Sequence, residues 1–303
     1  MKAMKSCGMG LFTIADCLRS GTVFAGGDGR RPDWSSATEN KQGQFLQGLL
    51  PSIYPCLGHF NEKELRGIAR ATAEEINAWL EENGSPLRLE PWTNDGNGMG
   101  MASILDVTVE WPVVCQPGRV EVEGVLYPSF TAKRKNGFSE VFQAKHHSEP
   151  VARMETKNGD SVYFTRWNRA LNDEDVPFVI AEIRENLESS DQGFTGVVVP
   201  MVDLTLEPDI SWTIGLSTSF ASGKWVVVQA KQRIRFGMNQ FGARAREETA
   251  MGCLKSMAPM EKILILDGPF LCWFERPGIS FPYVNLLCAP DCFKDPGDLA
   301  AMR

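Results

Sequence analysis

Residues 225–274 constrain the fold of this chain more than any other segment. Two blocks with β-strand character, 225–236 and 262–274, flank residues 237–260, which have no hydrophobic period. This middle part is rich in Gly, Ala, Ser, Thr and charged residues, which is typical of a solvated loop. A loop of about two dozen residues is uncommon in a compact domain and is usually functional or disordered. The sequence therefore predicts a long solvated loop between two strands, either functional or disordered.

The composition is that of a soluble globular protein. Of 303 residues, 43% are hydrophobic and 23% are charged, so one large domain or two ordinary ones could bury a core. The net charge of −7 argues against nucleic acid as a general partner. No run approaches the roughly 18 apolar residues that a membrane span needs, so we expect no membrane partner.

The N-terminus and the cysteines bear on the cellular compartment. Lys2 and Lys5 precede an apolar stretch, as in a secretory signal, but Asp16 interrupts it and no small-x-small cleavage site follows. We therefore expect no cleaved signal, which leaves a cytoplasmic location open. The eight cysteines are scattered through a long chain, which favours reduced, buried thiols over a disulfide framework.

The clearest helical pattern runs from Leu65 to Leu80, where apolar residues recur at spacings of three and four. Asn61 with Glu64, and Thr72 with Glu75, both fit a capping box, so the helix could begin at either. Gly84 then ends it. Elsewhere, Val, Ile, Phe, Tyr and Thr are enriched in segments that predict strands, namely 101–111, 120–126, 161–167, 178–183 and 194–202.

No motif indicates an enzyme, a metal or a cofactor. The chain has no Gly-x-Ser-x-Gly, His-Glu-x-x-His or strand-borne Gly-x-Gly-x-x-Gly sequence. His146 and His147 lack acidic or Cys partners at metal-binding spacings, so we expect a surface turn there. Residues 94–100 have an Asp-x-Asn spacing but lack the later ligands of a calcium loop. A Cys/His or Ser/His pair formed in space stays open, because such partners need not be close in sequence.

Several stretches resemble the serpin family. Residues 240–249 resemble the hinge that precedes the serpin reactive-centre loop, residues 267–274 a strand that follows it, and residues 281–290 the C-terminal strand. Upstream, residues 73–82 resemble the helix that crosses the main serpin sheet, residues 101–111 a central strand, and residues 199–207 a further strand. The positions that match family motifs are Asn77, Trp79, Trp111, Pro200, Pro269, Phe270 and Pro290.

The resemblance implies an α+β fold of serpin-like architecture. A large mixed β-sheet would lie beneath the helix at 73–83, and the strands within 199–236 and 262–290 would add barrel-like sheets. An exposed reactive-centre loop would occupy residues 243–260. Residues 61–303 would form the serpin-like domain, with residues 1–60 as a poorly matched segment of the same unit. About half of the family's N-terminal helical layer has no match there.

The function implied by the resemblance is inhibition of a serine protease in the extracellular space, by a loop that is cleaved and then inserts into the main sheet as a strand. The scissile bond would be Lys255-Ser256, which suits a trypsin-like enzyme, or Met257-Ala258. The hinge residues would be Gly242, Ala243, Ala245, Glu247 and Thr249, of which the last four face inward because side chains alternate along a strand.

The charge of the hinge supports an alternative function. Glu247 would be an unpaired carboxylate in the sheet interior, which costs several kcal/mol unless it takes up a proton. Arg246 and Glu248 add charge where serpins have alanines, although both would face solvent. The alternative is therefore a non-inhibitory binding or interaction protein with a serpin fold. The sequence does not determine the oligomeric state.

Overall fold

A computed structural model describes residues 4–31, 33–36, 41–92, 99–190, 192–220, 223–243 and 262–301. The helices are α1 (Leu11–Phe24), α2 (Lys41–Gln44), α3 (Leu50–Ile53), α4 (Ala73–Glu82) and α5 (Asp175–Glu185). The strands are β1 (Cys7–Gly8), β2 (Leu65–Arg70), β3 (Gly100–Leu105), β4 (Val109–Glu110), β5 (Gln116–Val122), β6 (Val125–Lys133), β7 (Phe138–Ala144), β8 (His147–Glu155), β9 (Ser161–Arg166), β10 (Leu187–Ser189), β11 (Gly196–Pro200), β12 (Val202–Leu206), β13 (Ser217–Phe220), β14 (Gly223–Val226), β15 (Ile234–Met238), β16 (Gly242–Ala243), β17 (Ile263–Ile265), β18 (Phe270–Glu275) and β19 (Val284–Cys288).

The largest sheet has seven strands in the order β1-β19-β18-β9-β8-β7-β10. Every neighbouring pair in it is antiparallel, so it is not the mixed sheet that the resemblance implied. One face contributes Phe164, Phe270 and Leu286 to the main hydrophobic core. The opposite face packs Trp273 and Leu287 against α5. Both faces of the central strands are therefore buried.

A second sheet has four strands in the order β17-β11-β6-β5. It is the mixed sheet of the molecule, because β17 runs parallel to β11 whereas the other pairs are antiparallel. The expected barrel-like group is thus divided. Strands β11 and β17 belong to this sheet, β12 pairs with β15, and β18 and β19 belong to the seven-stranded sheet.

Helix α4 packs on the two-stranded sheet formed by β2 and β3, and not on the seven-stranded sheet. Ile76 and Leu80 of the helix form a small core with Ala102 of β3. On the other face of these strands lies α1, which approaches β2 so closely at Gly67 that a Cβ there would lie 2.3 Å from the Asp16 carboxylate. The pair of strands is therefore enclosed by helices on both sides.

The enclosure of β2 explains why only one of the two predicted helix starts is correct. The Thr72–Glu75 capping box is confirmed and the helix begins at Ala73, whereas the residues after the Asn61 alternative, Leu65–Arg70, form a strand. A strand buried on both faces lacks the alternation of apolar and polar residues. The apolar residues of β2, Leu65, Ile68 and Ala69, are therefore three and four residues apart, which is the spacing expected for a helix.

Other elements also differ from the expectation. Residues 178–183 lie in α5, and residues 120–126 span the hairpin turn at Glu123 and Gly124, both of which have positive φ. The predicted strand 101–111 is divided into β3 and β4, and the block 225–236 into β14 and β15. The strand prediction for 161–167 is confirmed by β9.

The N-terminal residues are integrated into the core. The apolar stretch that resembled a signal leads into α1, whose Leu11, Phe12 and Ala15 are buried in the main core. The seven cysteines within the described ranges are free thiols, of which only Cys17 is not fully buried. Among the described residues, no helix is both long and apolar enough to cross a membrane.

Candidate functional site

The loop segment begins in a tight reversal that follows β15. The amide of Asn239 donates to the carbonyl of Gly242 (3.0 Å), and β16 then runs antiparallel to β4, with Gly242 opposite Glu110 and Ala243 opposite Val109. Ala243 is only 4% exposed. The prediction that the exposed loop begins at residue 243 is therefore wrong, because Ala243 is buried. Buried backbone N–H and C=O groups need hydrogen-bond partners, and β4 supplies them.

Gly242 is required by this close pairing. A Cβ at this position would lie 2.3 Å from the carbonyl oxygen of Val109. Any other residue would push β16 away from β4. The glycine of the predicted hinge is thus explained by a close backbone approach and not by chain flexibility.

Trp111 holds the reversal in place. Its indole Nε1 donates to the carbonyl of Asn239 (3.0 Å), its amide donates to the carbonyl of Phe241 (3.2 Å), and the amide of Cys115 donates to the carbonyl of Gln240 (2.8 Å). The Trp111 ring is 1% exposed and packs on Phe130. The tryptophan therefore fixes where the chain leaves β15 and enters β16.

A cavity of about 750 Å³ lies between β3 and β15. Among the described residues, β3 forms a ladder only with β2, and β15 only with β12, so each strand has one unpaired edge. Residues of both strands line the cavity, together with Ile14 of α1, Phe274 and the segment that follows α4. Ala243 of β16 also lines the cavity, so this strand lies beside the gap.

Arg233 is one of two arginines, with Arg66, that line this cavity without an ion pair among the described residues. It precedes β15 and lines the gap, and within the part of the chain that the structure describes it has no ion pair. Its Nε is buried and has no hydrogen-bond partner there. By contrast, Arg235 lines the same gap but pairs with Asp203. Arg233 therefore presents a donor that an added acidic group could satisfy.

The other residues that match family motifs occupy structural positions. Asn77 exchanges two hydrogen bonds with the backbone of Leu89 (2.9 and 2.8 Å), which fixes the segment after α4. Trp79 packs on the small core of α4. Pro200 is the last residue of β11, and Pro290 is the first residue of a 3₁₀ turn. The carbonyl of Pro269 accepts a hydrogen bond from the amide of Trp167 (2.8 Å). The ring of Phe270 stacks on the ring of Phe293. None of them is grouped into a catalytic arrangement.

The remaining predicted site residues lie outside the described residues. These are the hinge positions Ala245, Glu247 and Thr249 with Arg246 and Glu248, and the bait positions Lys255, Ser256 and Met257. The same holds for the Asp-x-Asn cluster, residues 94–98. Among the residues that are described, no group of three or more His, Cys, Asp or Glu could hold a metal ion.

The histidine pair is divided between surface and core. His146 lies in the exposed turn between β7 and β8, as expected, whereas His147 begins β8 and is buried. The Nε2 of His147 lies 2.6 Å from the hydroxyl of Thr165, and among the described residues the imidazole makes no hydrogen bond to a Cys or Ser. The prediction of a surface turn is thus wrong for His147, because this residue is the first of β8 and is buried with that strand in the sheet.

Sequence reasoning missed three features of this site, namely β4, the reversal at 239–242 and Arg233. The two-residue strands β4 and β16 are too short to show a period. Arg233 lies in a polar stretch, Lys231 to Arg235, that gives no indication of which charge is unpaired. The only usable signal was the pair of tryptophan and glycine at Trp111 and Gly242.

Comparisons with known proteins identify the fold. No family model matches the sequence, and no curated protein matches it. Among solved structures, Serpin48 of the insect Tenebrio molitor is similar over 95% of this chain and 91% of its own, with 12% identity and a TM-score of 0.55. Human thyroxine-binding globulin is similar over 92% and 96%, with 10% identity and a TM-score of 0.50. The arrangement of strands around the gap between β3 and β15 is therefore part of a divergent serpin fold, and the α+β class predicted from the sequence is confirmed.

Proposed function

We propose that this protein inhibits a serine protease by presenting residues 244–261 as a cleavable pseudo-substrate, and that it has no enzymatic activity of its own. The observation that carries the proposal is the gap between β3 and β15, into which β16 is directed. After cleavage, residues that follow Ala243 would extend β16 as a strand between these two edges. Each edge offers unpaired backbone groups, so an added strand would gain hydrogen bonds on both sides.

The register of β16 supports a definite pairing for the strand that we propose to insert. If the pairing of Ala243 with Val109 continues without a bulge, Ala245 comes opposite Val107, Glu247 opposite Leu105 and Thr249 opposite Ser103. Leu105 and Val107 pack against the main core, whereas Ile104 packs against α4. Residues 243, 245, 247 and 249 would thus face the core, as the alternation of the sequence predicts.

The charged hinge residues would meet opposite charges on the outer face. In the same register, Arg246 comes opposite Asp106 of the β3 side. Continuing the contact of Asn239 with Gly242 along β15 brings Glu248 opposite Arg233. Opposite charges directly across a ladder contribute about 0.2–1 kcal/mol per pair. Arg246 and Glu248 stand where serpins have alanines, but in this register each would gain an opposite charge. Their charges would therefore favour insertion.

Glu247 supports the second candidate function. It would enter the core face between Leu105 and Ile234, both of which pack against apolar residues. Burying an unpaired carboxylate costs several kcal/mol or requires a proton. If this cost prevents insertion, the fold serves for binding without inhibition. The similarity to thyroxine-binding globulin, a protein that binds a small molecule, also favours this candidate.

Thermal melting of the intact protein and of the protein cleaved once within residues 250–258 tests the proposal. Insertion should raise the melting temperature by tens of degrees, because a strand is added to the sheet. Glu247→Ala should enlarge the increase. Arg233→Glu should reduce it, and Arg233→Glu combined with Glu248→Arg should restore it. An unchanged melting temperature in all variants would leave only the non-inhibitory candidate.

Inhibition itself is tested by a gel-stable covalent complex with trypsin. We expect the complex to form with the wild-type protein and to be lost in Lys255→Ala, because a trypsin-like pocket requires a basic residue before the scissile bond. Lys224→Ala removes an equal charge from the distant strand β14 and should leave the complex unchanged. A complex that survives Lys255→Ala would shift the bait to Met257-Ala258.

A further inference from the structure

A second cavity, of about 740 Å³, lies at one end of the seven-stranded sheet. It is lined by the turn between β7 and β8, by the residues that follow β9, and by Glu188 of β10. Its volume is within the range of about 300–1,000 Å³ that is usual for small-molecule sites.

His147 is one of the residues that line this cavity. Its Nε2 lies 2.6 Å from the hydroxyl of Thr165, and that hydroxyl donates its hydrogen to the carbonyl of Pro150 (3.0 Å). Because the hydroxyl has only one hydrogen, Nε2–H must be the donor to Thr165. The neutral imidazole therefore keeps Nδ1 as an acceptor, and in the described part of the molecule Nδ1 has no partner.

Trp167 contributes an unused donor beside it. The residue is 8% exposed, and its Nε1 is buried and unpartnered among the described residues. The His147 ring stacks on the indole with centroids 5.7 Å apart, and the guanidinium of Arg169 lies 4.9 Å from the indole centroid. A buried donor without a partner costs about 1–3 kcal/mol, which a bound acceptor would recover.

The charges around the cavity are unbalanced. Lys145 and Arg169 line it and have no carboxylate within ion-pair distance in the described ranges. Arg166 is paired with Asp267 (3.0 Å) and lies 4.0 Å from Glu149. The lining therefore carries three cationic side chains, Lys145, Arg166 and Arg169, against the carboxylates of Glu149 and Glu188.

We propose that this cavity binds a small organic phosphate monoester. The phosphoryl oxygens would accept from Trp167 Nε1–H, Arg169 and Lys145, and one phosphoryl oxygen would share a proton with His147 Nδ1. A tetrahedral oxyanion has enough acceptor oxygens for all three donors. The organic group would occupy the rest of the cavity, which is far larger than a phosphate ion.

The shared proton makes binding depend on pH. A phosphate monoester has its second pKa near about 6, and histidine has an ordinary pKa of about 6.5. Burial lowers the pKa of His147, Glu149 raises it and Arg169 lowers it. Lys145, His146, Arg166 and Glu188 also line the cavity. Near neutral pH both partners are therefore largely unprotonated when free, and the complex takes up one proton.

Titration calorimetry with phenyl phosphate as the probe tests the site in the full-length protein. We expect one saturable site and up to about one proton taken up at pH 7.5, measured from the heat in two buffers of different ionisation enthalpy. Affinity should fall by roughly tenfold from pH 6.5 to 8.0. Inorganic phosphate should bind more weakly, because it leaves most of the cavity empty.

Variants separate the site from general charge attraction. Arg169→Gln and Trp167→Phe should each weaken phenyl phosphate at least fivefold, and His147→Gln should remove the pH dependence. Arg119→Gln, on β5 of the other sheet, removes an equal charge and should stay within twofold of wild type. Absence of saturable binding, or equal losses in Arg169→Gln and Arg119→Gln, would overturn the proposal. Arg169 is exposed, so its variant should fold, and neither outcome depends on protease inhibition.

Discussion

His147 is the buried member of the three histidines, and its protonation is coupled to folding. Burial lowers its pKa in the folded protein, so the unfolded chain binds the proton more tightly. The stability contributed by neutral His147 is complete above about pH 6.5 and is lost as the pH falls through that value towards the lower folded pKa. One imidazole thus links the phosphate site that we propose to the stability of the sheet.

We therefore expect the urea midpoint to fall from pH 7.5 to 5.5 more steeply in the wild-type protein than in His147→Gln. Glutamine retains a donor for the Thr165 hydroxyl but does not titrate. His59→Gln, at an exposed position, should keep the wild-type slope. Parallel slopes for wild type and His147→Gln would show that His147 does not contribute.

Gly242 gives a residue-scale prediction for the start of the loop. Gly242→Ala places a Cβ against the Val109 carbonyl and should destabilise the protein by about 1–3 kcal/mol in urea denaturation. Limited proteolysis near residue 242 should also become faster. Gly48→Ala is the control, since a Cβ there would meet no atom within 4 Å. Equal stability of the two variants would contradict a close pairing of β16 with β4.

At the scale of elements, α4 depends on its first turn. Thr72 accepts from the Glu75 amide (3.2 Å) and Glu75 reaches back to the Thr72 amide (3.3 Å), so two terminal donors are satisfied. Helix α4 covers β2 and β3, and the segment after it lines the gap. The cap therefore supports one wall of the candidate site.

Thr72→Ala should lower the free energy of unfolding by about 1 kcal/mol, measured by urea denaturation. Thr72→Ser keeps the hydroxyl and should differ from wild type by only a few tenths of a kcal/mol. A loss of the same size in both variants would mean that the methyl group of the threonine matters more than the cap.

At the scale of the whole molecule, Arg276 joins distant parts of the chain. Its guanidinium donates to Glu64 before β2 (2.7 Å) and to Asp160 before β9 (3.0 Å), and the Tyr283 hydroxyl donates to the same Asp160 carboxylate (2.7 Å). Asp160 is 1% exposed. The cluster ties the two-stranded β2–β3 sheet to the seven-stranded sheet.

Arg276→Leu should therefore destabilise the protein by about 3–5 kcal/mol, because it leaves a buried carboxylate without a cation. Arg88→Leu removes an arginine from an exposed pair with Glu81 and should cost at most about 1 kcal/mol. Guanidinium or urea unfolding of both variants at pH 7 measures the difference. Similar losses would mean that Asp160 is stabilised by Tyr283 alone.

Much of the fold was readable from local pattern. Strand β9 and helix α4 from its Thr72 cap onward each rest on a few neighbouring residues, so the sequence alone determined them. Local propensity and capping act within one turn or one strand, which is why these features need no knowledge of the partner elements. The α+β class, by contrast, was implied by the resemblance to the serpin family.

Only the tertiary structure decided which elements meet. It places α1 and α4 on opposite faces of residues 65–70, and these residues therefore form the strand β2 although their spacing is helical. It also brings β3 and β15 to the two sides of one gap. Among the residues that the structure describes, it also leaves Arg233 without an ion pair, while Arg235, two residues away, is neutralised by Asp203. Pairing and burial depend on residues far apart in the chain, so no local window contains the information. For the same reason the sequence did not predict that one cavity is lined by Lys145, Trp167 and Arg169.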